Sequence, residues 1–240
     1  MLGDVEVTLI PEFAYNAYQK MMPYIIKFLC SQHPYRKGKL CPFVPKAIKE
    51  NCIYFTYFDG SLVESINFIK NCIDFFLKKK RAQNTLGALI ILFPEDFSLE
   101  TLLEIHLKSK VECVKNNIMI GALYSTSQAQ SLHCESFYPL RTPVPTLVLR
   151  DLVIHDLIFL NPKHYKLHER LNFLNSFIKK FDKDFKYSSA KSQINNAMIL
   201  RKELKTKINI YKYCKYLAIA VNFIILTVIC LKFKQPPYAN

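Results

Sequence analysis

The sequence predicts an α/β protein: a central sheet flanked by helices, followed by a hydrophobic C-terminal helix, with an α+β arrangement left open. Three observations carry this. Apolar or β-branched runs at 52–58, 86–93, 118–124 and 146–150 alternate with helical patterns of roughly 12–20 residues, as in a sheet covered by helices. Half of the residues are apolar and only five of 240 are glycine, which argues for a packed core and against low complexity. Near the end, Tyr216–Leu231 runs sixteen residues without a charge.

Taken in order, Glu12 to about Cys30 reads as an aromatic-rich helix broken by Pro23. A polar turn, 33–39, delivers the chain to Cys41, and Pro45 suits the first position of a short helix over 46–51. Cys52–Phe58 is a strand by its β-branched and aromatic content. Ser61 with Glu64 three residues on is a capping box that opens a helix to about Lys80. Leu86–Phe93 is a continuous apolar run closed by Pro94, the pattern of a strand covered on both faces. Ser98 and Thr101 offer caps for a helix to about Lys115. Ile118–Tyr124 and Thr146–Arg150 are further strands, separated by a polar loop over 125–138. From Pro162 onward the pattern is helical, with a break around 183–188. The expected division is a globular domain over 1–182, a basic helical linker over 183–212, and an anchor with a short tail over 213–240.

The net charge is +14, and 27 of the 33 basic residues are lysine. There is no RNP-like aromatic strand, zinc-finger spacing or basic zipper, so nucleic acid is set aside. An anionic membrane surface is the better partner for this charge. The Lys78–Arg81 run reads as the solvated end of its helix, where cations favour the dipole. Eight cysteines lie in apolar contexts with no Cys-x-x-Cys pair, and the acidic start Met1-Leu-Gly-Asp-Val-Glu-Val is unlike a secretory signal. The expectation is a reduced, cytosol-facing domain.

Two proline-punctuated segments, Cys41-Pro-Phe-Val-Pro45 and Pro139-Leu-Arg-Thr-Pro-Val-Pro145, hold stiff extended chain and present Cys41 and Arg141. Cys41 stands near a helix start and near Arg36, Lys37 and Lys39, which favours thiolate as a nucleophile or iron ligand. The competing reading is a structural thiol packing its turn. Arg141, and Arg150 at the end of the following strand, offer bidentate geometry to a carboxylate or phosphate. An internal ion pair with Asp151, Asp156 or Glu95 serves equally. His133, in the loop before the second motif, is the candidate axial ligand or acid/base, against a solvated loop histidine. His164 and His168 have the i, i+4 spacing of a divalent-metal pair, but Lys163, Lys166 and Arg170 oppose a cation there. No Gly-rich phosphate loop, Gly-x-Ser-x-Gly elbow or His-Glu-x-x-His motif occurs. These absences set aside kinase, P-loop, Rossmann and zinc-protease readings.

The two motifs, with Phe93-Pro94, Met119-Ile120-Gly121 and Arg150 between and after them, resemble an uncharacterised bacterial domain family over roughly residues 25–165. Its members carry Pro-Leu-Arg-Ser-Pro-Val-Pro where this chain has Thr142 for the serine. They often occur beside natural-product biosynthesis genes, which implies small-molecule chemistry. More loosely, the Cys-Pro-Phe element is similar to one in haem-dependent N-oxygenases of the guanitoxin type. That likeness implies haem as cofactor, with Cys41 or His133 as its ligand. After Gly121 the family tends to have Glu-Phe-His-Pro, and here Ala122-Leu123-Tyr124-Ser125 stand instead, which implies a lost or altered activity.

Lysines flank the uncharged run at 212 and 215 and at 232 and 234. Sixteen residues fall short of the ~20 of a usual spanning helix, and snorkelling lysines extend the usable length. The expectation is a single-pass membrane anchor over Tyr216–Leu231, with the basic stretch Arg201–Lys215 in the cytosol. The alternatives are a packed core or oligomer helix and an interfacial helix. Two functions remain open. One is a membrane-anchored small-molecule-binding protein or enzyme using Cys41, His133, Arg141 and Arg150. The other is a catalytically decayed scaffold acting as a membrane-tethered interaction protein, of open oligomeric state.

Overall fold

The computed structural model describes residues 10–81, 86–182 and 188–233, with backbone alone for Arg81, 188–189 and 227–233. The chain divides into two units, residues 1–156 and 157–240, each described by itself.

The first unit opens with helix α1 (Glu12–Pro23), which passes into a π-helical turn, Tyr24–Leu29. Pro23 lacks an amide proton and its ring crowds the preceding turn, so the helix changes pitch there. Then follow α2 (Val44–Lys49), β1 (Ile53–Tyr57), α3 (Leu62–Arg81), β2 (Ala88–Leu92), α4 (Leu99–Lys115), β3 (Ile118–Leu123) and β4 (Thr146–Asp151). The capping box at α3 is formed: Ser61 N donates to Glu64 Oε2 at 2.7 Å and Glu64 N to Ser61 Oγ at 3.5 Å. Ser98 caps α4 by accepting from Thr101 N. Asn51 and Asn117, with φ of 52° and 61°, turn the chain out of α2 and α4 in the left-handed region that asparagine tolerates.

The sheet order is β1-β2-β4-β3. β1 and β2 are parallel, and β4 is antiparallel to both β2 and β3. Strands β1 to β3 therefore run one way, with β4 inserted between the last two in the opposite sense. The strand alternation sorts side chains onto two faces. Leu89, Ile91, Phe93, Ile118, Ile120, Leu147 and Leu149 pack with Ile73, Phe76, Leu102 and Ile105 of α3 and α4. On the other face Ile90, Leu92, Leu123 and Val144 pack with Ala17, Met21, Tyr24 and Ile25. The unbroken apolar run of β2 is thus explained, since helices cover both its faces. Each such Leu, Ile or Phe contributes on the order of 1.5–3 kcal/mol by burial.

The second unit holds a 3₁₀ segment that begins at Ile154 in the first unit and ends at Phe159, then α5 (Leu167–Phe181) and α6 (Ser188–Phe233). α6 packs on α5, burying Ala190, Ile194, Ala197 and Leu204, a single stripe at helical spacing. Beyond Ile210 its apolar side chains are exposed, Leu217, Phe223, Ile224 and Leu226 each at 60% or more. The stretches expected as linker and anchor thus lie largely in one helix, while 183–187 fall outside the described residues. Residues 227–231 of the expected span are outside the described side chains. Among the described residues no helix is long and apolar enough to cross a membrane.

Three local expectations are corrected. α5 begins at Leu167, where Lys166 N donates to Glu169 Oε2 at 2.8 Å. His164 lies in the preceding turn, so it shares no helix face with His168. The end of α3 is not simply solvated: Lys80 pairs with buried Asp151, and Lys79 lies over the Tyr54 and Phe75 rings.

Gly87 fixes how closely the chain passes at the start of β2, since an added Cβ would meet the Cys52 carbonyl oxygen at 2.7 Å. Gly87→Ala should lower stability by ~1–3 kcal/mol through overpacking, read as a lower urea midpoint. Gly121→Ala, whose nearest new contact is Leu123 Cδ1 at 3.7 Å, should stay near wild type.

Candidate functional site

Because β1, β2 and β3 run together, their carboxyl ends share one edge, at Tyr57, Leu92 and Leu123. Thr146, the first residue of β4, pairs there with both Leu92 and Leu123. The loop 124–145 leaves β3 and returns to β4 at this edge. Open α/β sheets place ligands outside the carboxyl ends of their strands.

The second proline motif is anchored along its length. Tyr24 Oη donates to Pro139 O at 2.7 Å. Thr142 Oγ1 donates to Val144 O, Thr146 Oγ1 donates to the same carbonyl, and Phe93 N donates to Pro145 O. Burial first, and the neighbouring Cys41 second, push the Tyr24 phenol up. Val44 of the first motif packs on the apolar cluster that holds Val144 of the second, so the structure brings the two motifs together.

The 31–40 hairpin docks against the 131–138 loop through rings. His33 meets His133 edge to face with centroids 5.3 Å apart and meets Phe137 at 5.7 Å. Tyr35 and Phe28 also contact Phe137. His33 is 8% exposed, and its Nδ1 accepts from Tyr35 N at 3.0 Å. Burial, then the Arg36 guanidinium, then His133 hold it below the ordinary imidazole value. A hydrogen bond to the Cys134 thiol is the first cause raising the Tyr35 phenol. The Ser136 hydroxyl, 3.2 Å from Cys134 Sγ, is the first cause lowering that thiol.

Arg141 is exposed. Its Nε donates to Ser127 O at 2.9 Å, and its guanidinium carbon lies 4.0 Å from the centroid of the Tyr138 ring. Among the described residues no carboxylate pairs with it. The stack and the one backbone bond hold the fork while its two Nη groups remain available to a carboxylate or phosphate. Arg150 is placed elsewhere. It sits at the far end of β4, four residues and ~14 Å along the strand from Thr146. There it forms a two-pronged pair with Asp156, at 2.7 and 2.6 Å. Of the four expected site residues, Cys41, His133 and Arg141 belong to the loop region, and Arg150 is engaged by the internal carboxylate.

His33, Tyr35, Cys134 and Tyr138 join this site without having been singled out from sequence. The signal was in the turn 33–39, where a histidine and a tyrosine stand in a segment that otherwise reads as polar connection. Residues 18–192 match the family model described as a domain of unknown function (DUF6875), and the chain belongs to that family. No curated protein matches the chain, and no solved structure does.

Neutral His33 is the form the fold favours, so the unfolded chain takes up a proton first as pH falls. The stability tied to it is complete above the ordinary value of 6.5 and is lost as pH drops through the lower folded value. Urea unfolding at about pH 7.5 and about pH 5.5 should therefore show a fall that is smaller in His33→Asn, which keeps an acceptor for Tyr35 N. An equal fall in both proteins would remove His33 as the source.

Proposed function

We propose that this chain binds a small anionic molecule at the carboxyl edge of its sheet, with Arg141 as the anchor for a carboxylate or phosphate. The available Arg141 fork, held in the second proline-stiffened segment by its stack on Tyr138 and its bond to Ser127 O, is the observation that carries this reading. His33 and His133, in contact with each other, supply imidazoles from the hairpin and from the loop that carries Arg141, and Phe28, Tyr35 and Phe137 supply ring surface. Haem is one candidate ligand. An imidazole or thiol for iron (His133 or Cys41) and an arginine for a propionate are donors of the required kind. When bound, haem would supply redox chemistry at its iron. Thermal shifts and calorimetry of the full chain with a panel of carboxylates, phosphate monoesters and haemin test the reading. At least one anionic class should bind and lose about tenfold or more in Arg141→Lys, the worth of a charge-assisted contact of ~1.5–3 kcal/mol. With haemin, a Soret band lost in His133→Ala or Cys41→Ala would identify the ligand, and no band would remove haem alone. Anion binding indifferent to Arg141, or none, would overturn the reading.

A membrane attachment is favoured separately by α6. Exposure of Tyr216, Leu217, Ile219, Val221, Phe223, Ile224, Ile225 and Leu226 covers every face of the helix. A protein partner would ask for one stripe, whereas lipid solvates a helix all round. Arg201, Lys202, Lys205, Lys207, Lys212 and Lys215 precede this surface, each adding on the order of 1 kcal/mol near an anionic bilayer. The full chain should float with phosphatidylserine-containing vesicles and resist salt extraction. Truncation after Ile210 should release it, and Ile224→Arg should weaken attachment by ~2.5–3.5 kcal/mol. A full chain that stays monomeric and unbound without detergent would refute the attachment.

A further inference from the structure

Cys30 and Cys41 stand at the two ends of the 31–40 hairpin. Its backbone bonds run from His33 N to Gly38 O, from Leu40 N to Ser31 O and from Cys41 N to Leu29 O, all 2.9–3.0 Å. Gln32 and Lys39 pair antiparallel between them. Cys30 ends the π-helical turn, and the last of these bonds joins Cys41 to the carbonyl of Leu29, the residue just before Cys30. That one bond keeps the two Cα atoms within about 7 Å of each other, close to the ~4.4–6.8 Å that a disulfide spans. The proximity is also electrostatic: after burial, Cys41 is the next cause raising the Cys30 thiol. Both cysteines are half-buried and free. Cys52, Cys72 and Cys113 are buried, and burial pushes the last two up to about 12. Since thiolate is the reacting form, those three compete poorly.

We propose that Cys30 and Cys41 form a reversible disulfide that closes the neck of the hairpin carrying His33, Tyr35 and Arg36. Hydrogen peroxide is the oxidant. One thiol takes an oxygen from it, giving a sulfenic acid and one water. The other thiolate attacks that sulfur, the S–S bond forms as the S–O bond breaks, and the oxygen leaves as a second water. A dithiol reverses the step by exchange. The bond removes freedom from the loop that holds one side of the ring cluster, and it would exclude an iron bond to Cys41.

The full chain exposed to hydrogen peroxide, digested without reductant and mapped by mass, tests this. The expected product is a Cys30–Cys41 peptide pair lighter by two hydrogens and restored by dithiothreitol. Cys30→Ser and Cys41→Ser should each lose it, leaving the remaining thiol to over-oxidise. Hydrogen exchange over 31–40 should slow in the oxidised wild type, a readout that needs no variant to fold. The half-buried, hydrogen-bonded Cys134 is the competitor. A Cys41–Cys134 link, separate sulfinic acids at 30 and 41, or unchanged exchange after linkage would each overturn the proposal.

Discussion

Strand β4 is the element on which the rest of the first unit depends. It enters the sheet against the direction of its neighbours, and all six of its residues are paired with β3 while five are also paired with β2. A strand bonded on both sides cannot slide by one residue without turning Leu147 and Leu149 away from the α3–α4 core. Its register therefore fixes what stands at each end. At one end Thr146 and Pro145 receive the proline segment and set Arg141 at the carboxyl edge. At the other end Arg150 and Asp151 are delivered into the buried charges.

Those charges explain why an arginine stands at 150 in a chain that otherwise prefers lysine. Asp151 and Asp156 are each 2% exposed, and a buried carboxylate is costly unless its oxygens are all engaged. Asp151 accepts from Gly87 N at 3.0 Å. Its Oδ1 makes no hydrogen bond of ordinary geometry but takes the close ion contact of Lys80, so the charge is met. Asp156 receives both prongs of Arg150 and the Val153 amide. Lys110 is held down to about 8 by burial while Asp156 pulls it back up. Such a network adds little net stability, yet removing one member costs ~3–5 kcal/mol because the partner is left bare. Its benefit is a fixed junction between α3, β2 and β4.

Much of this architecture was legible because each strand and cap is written locally. The β2 run 88–92, the Ser61/Glu64 box and the Ser98 cap need only their own neighbours. The α6 stripe at 190, 194, 197 and 204 obeys a spacing rule too, but the lysines around it made 183–212 read as a basic linker. What was not legible required knowing which distant residues meet. Arg150 could pair with three acids or a ligand, and only the 3₁₀ segment carrying Asp156 decides among them. The turn 33–39 looked like connection because its His33 and Tyr35 acquire meaning only against Phe137, a hundred residues on. The start of α5 was misplaced because Pro162 suits a helix start, while Glu169 caps the chain at Lys166 instead.

The positions after Gly121 bear most directly on what the site can do. Ala122 and Tyr124 are both packed on the α3–α4 core. Leu123 between them is buried on the opposite face. Ionisable groups at those points would be desolvated by the same helices and would need buried partners. This chain has filled the places with packing instead, and its titratable groups gather one step further along, in the loop that leaves β3. His133, Cys134 and Arg141 are all on that loop, and His33 and Tyr35 meet it from the hairpin. The ring contacts and the Arg141 stack hold these groups, and the Tyr35 amide fixes the His33 ring by donating to its Nδ1.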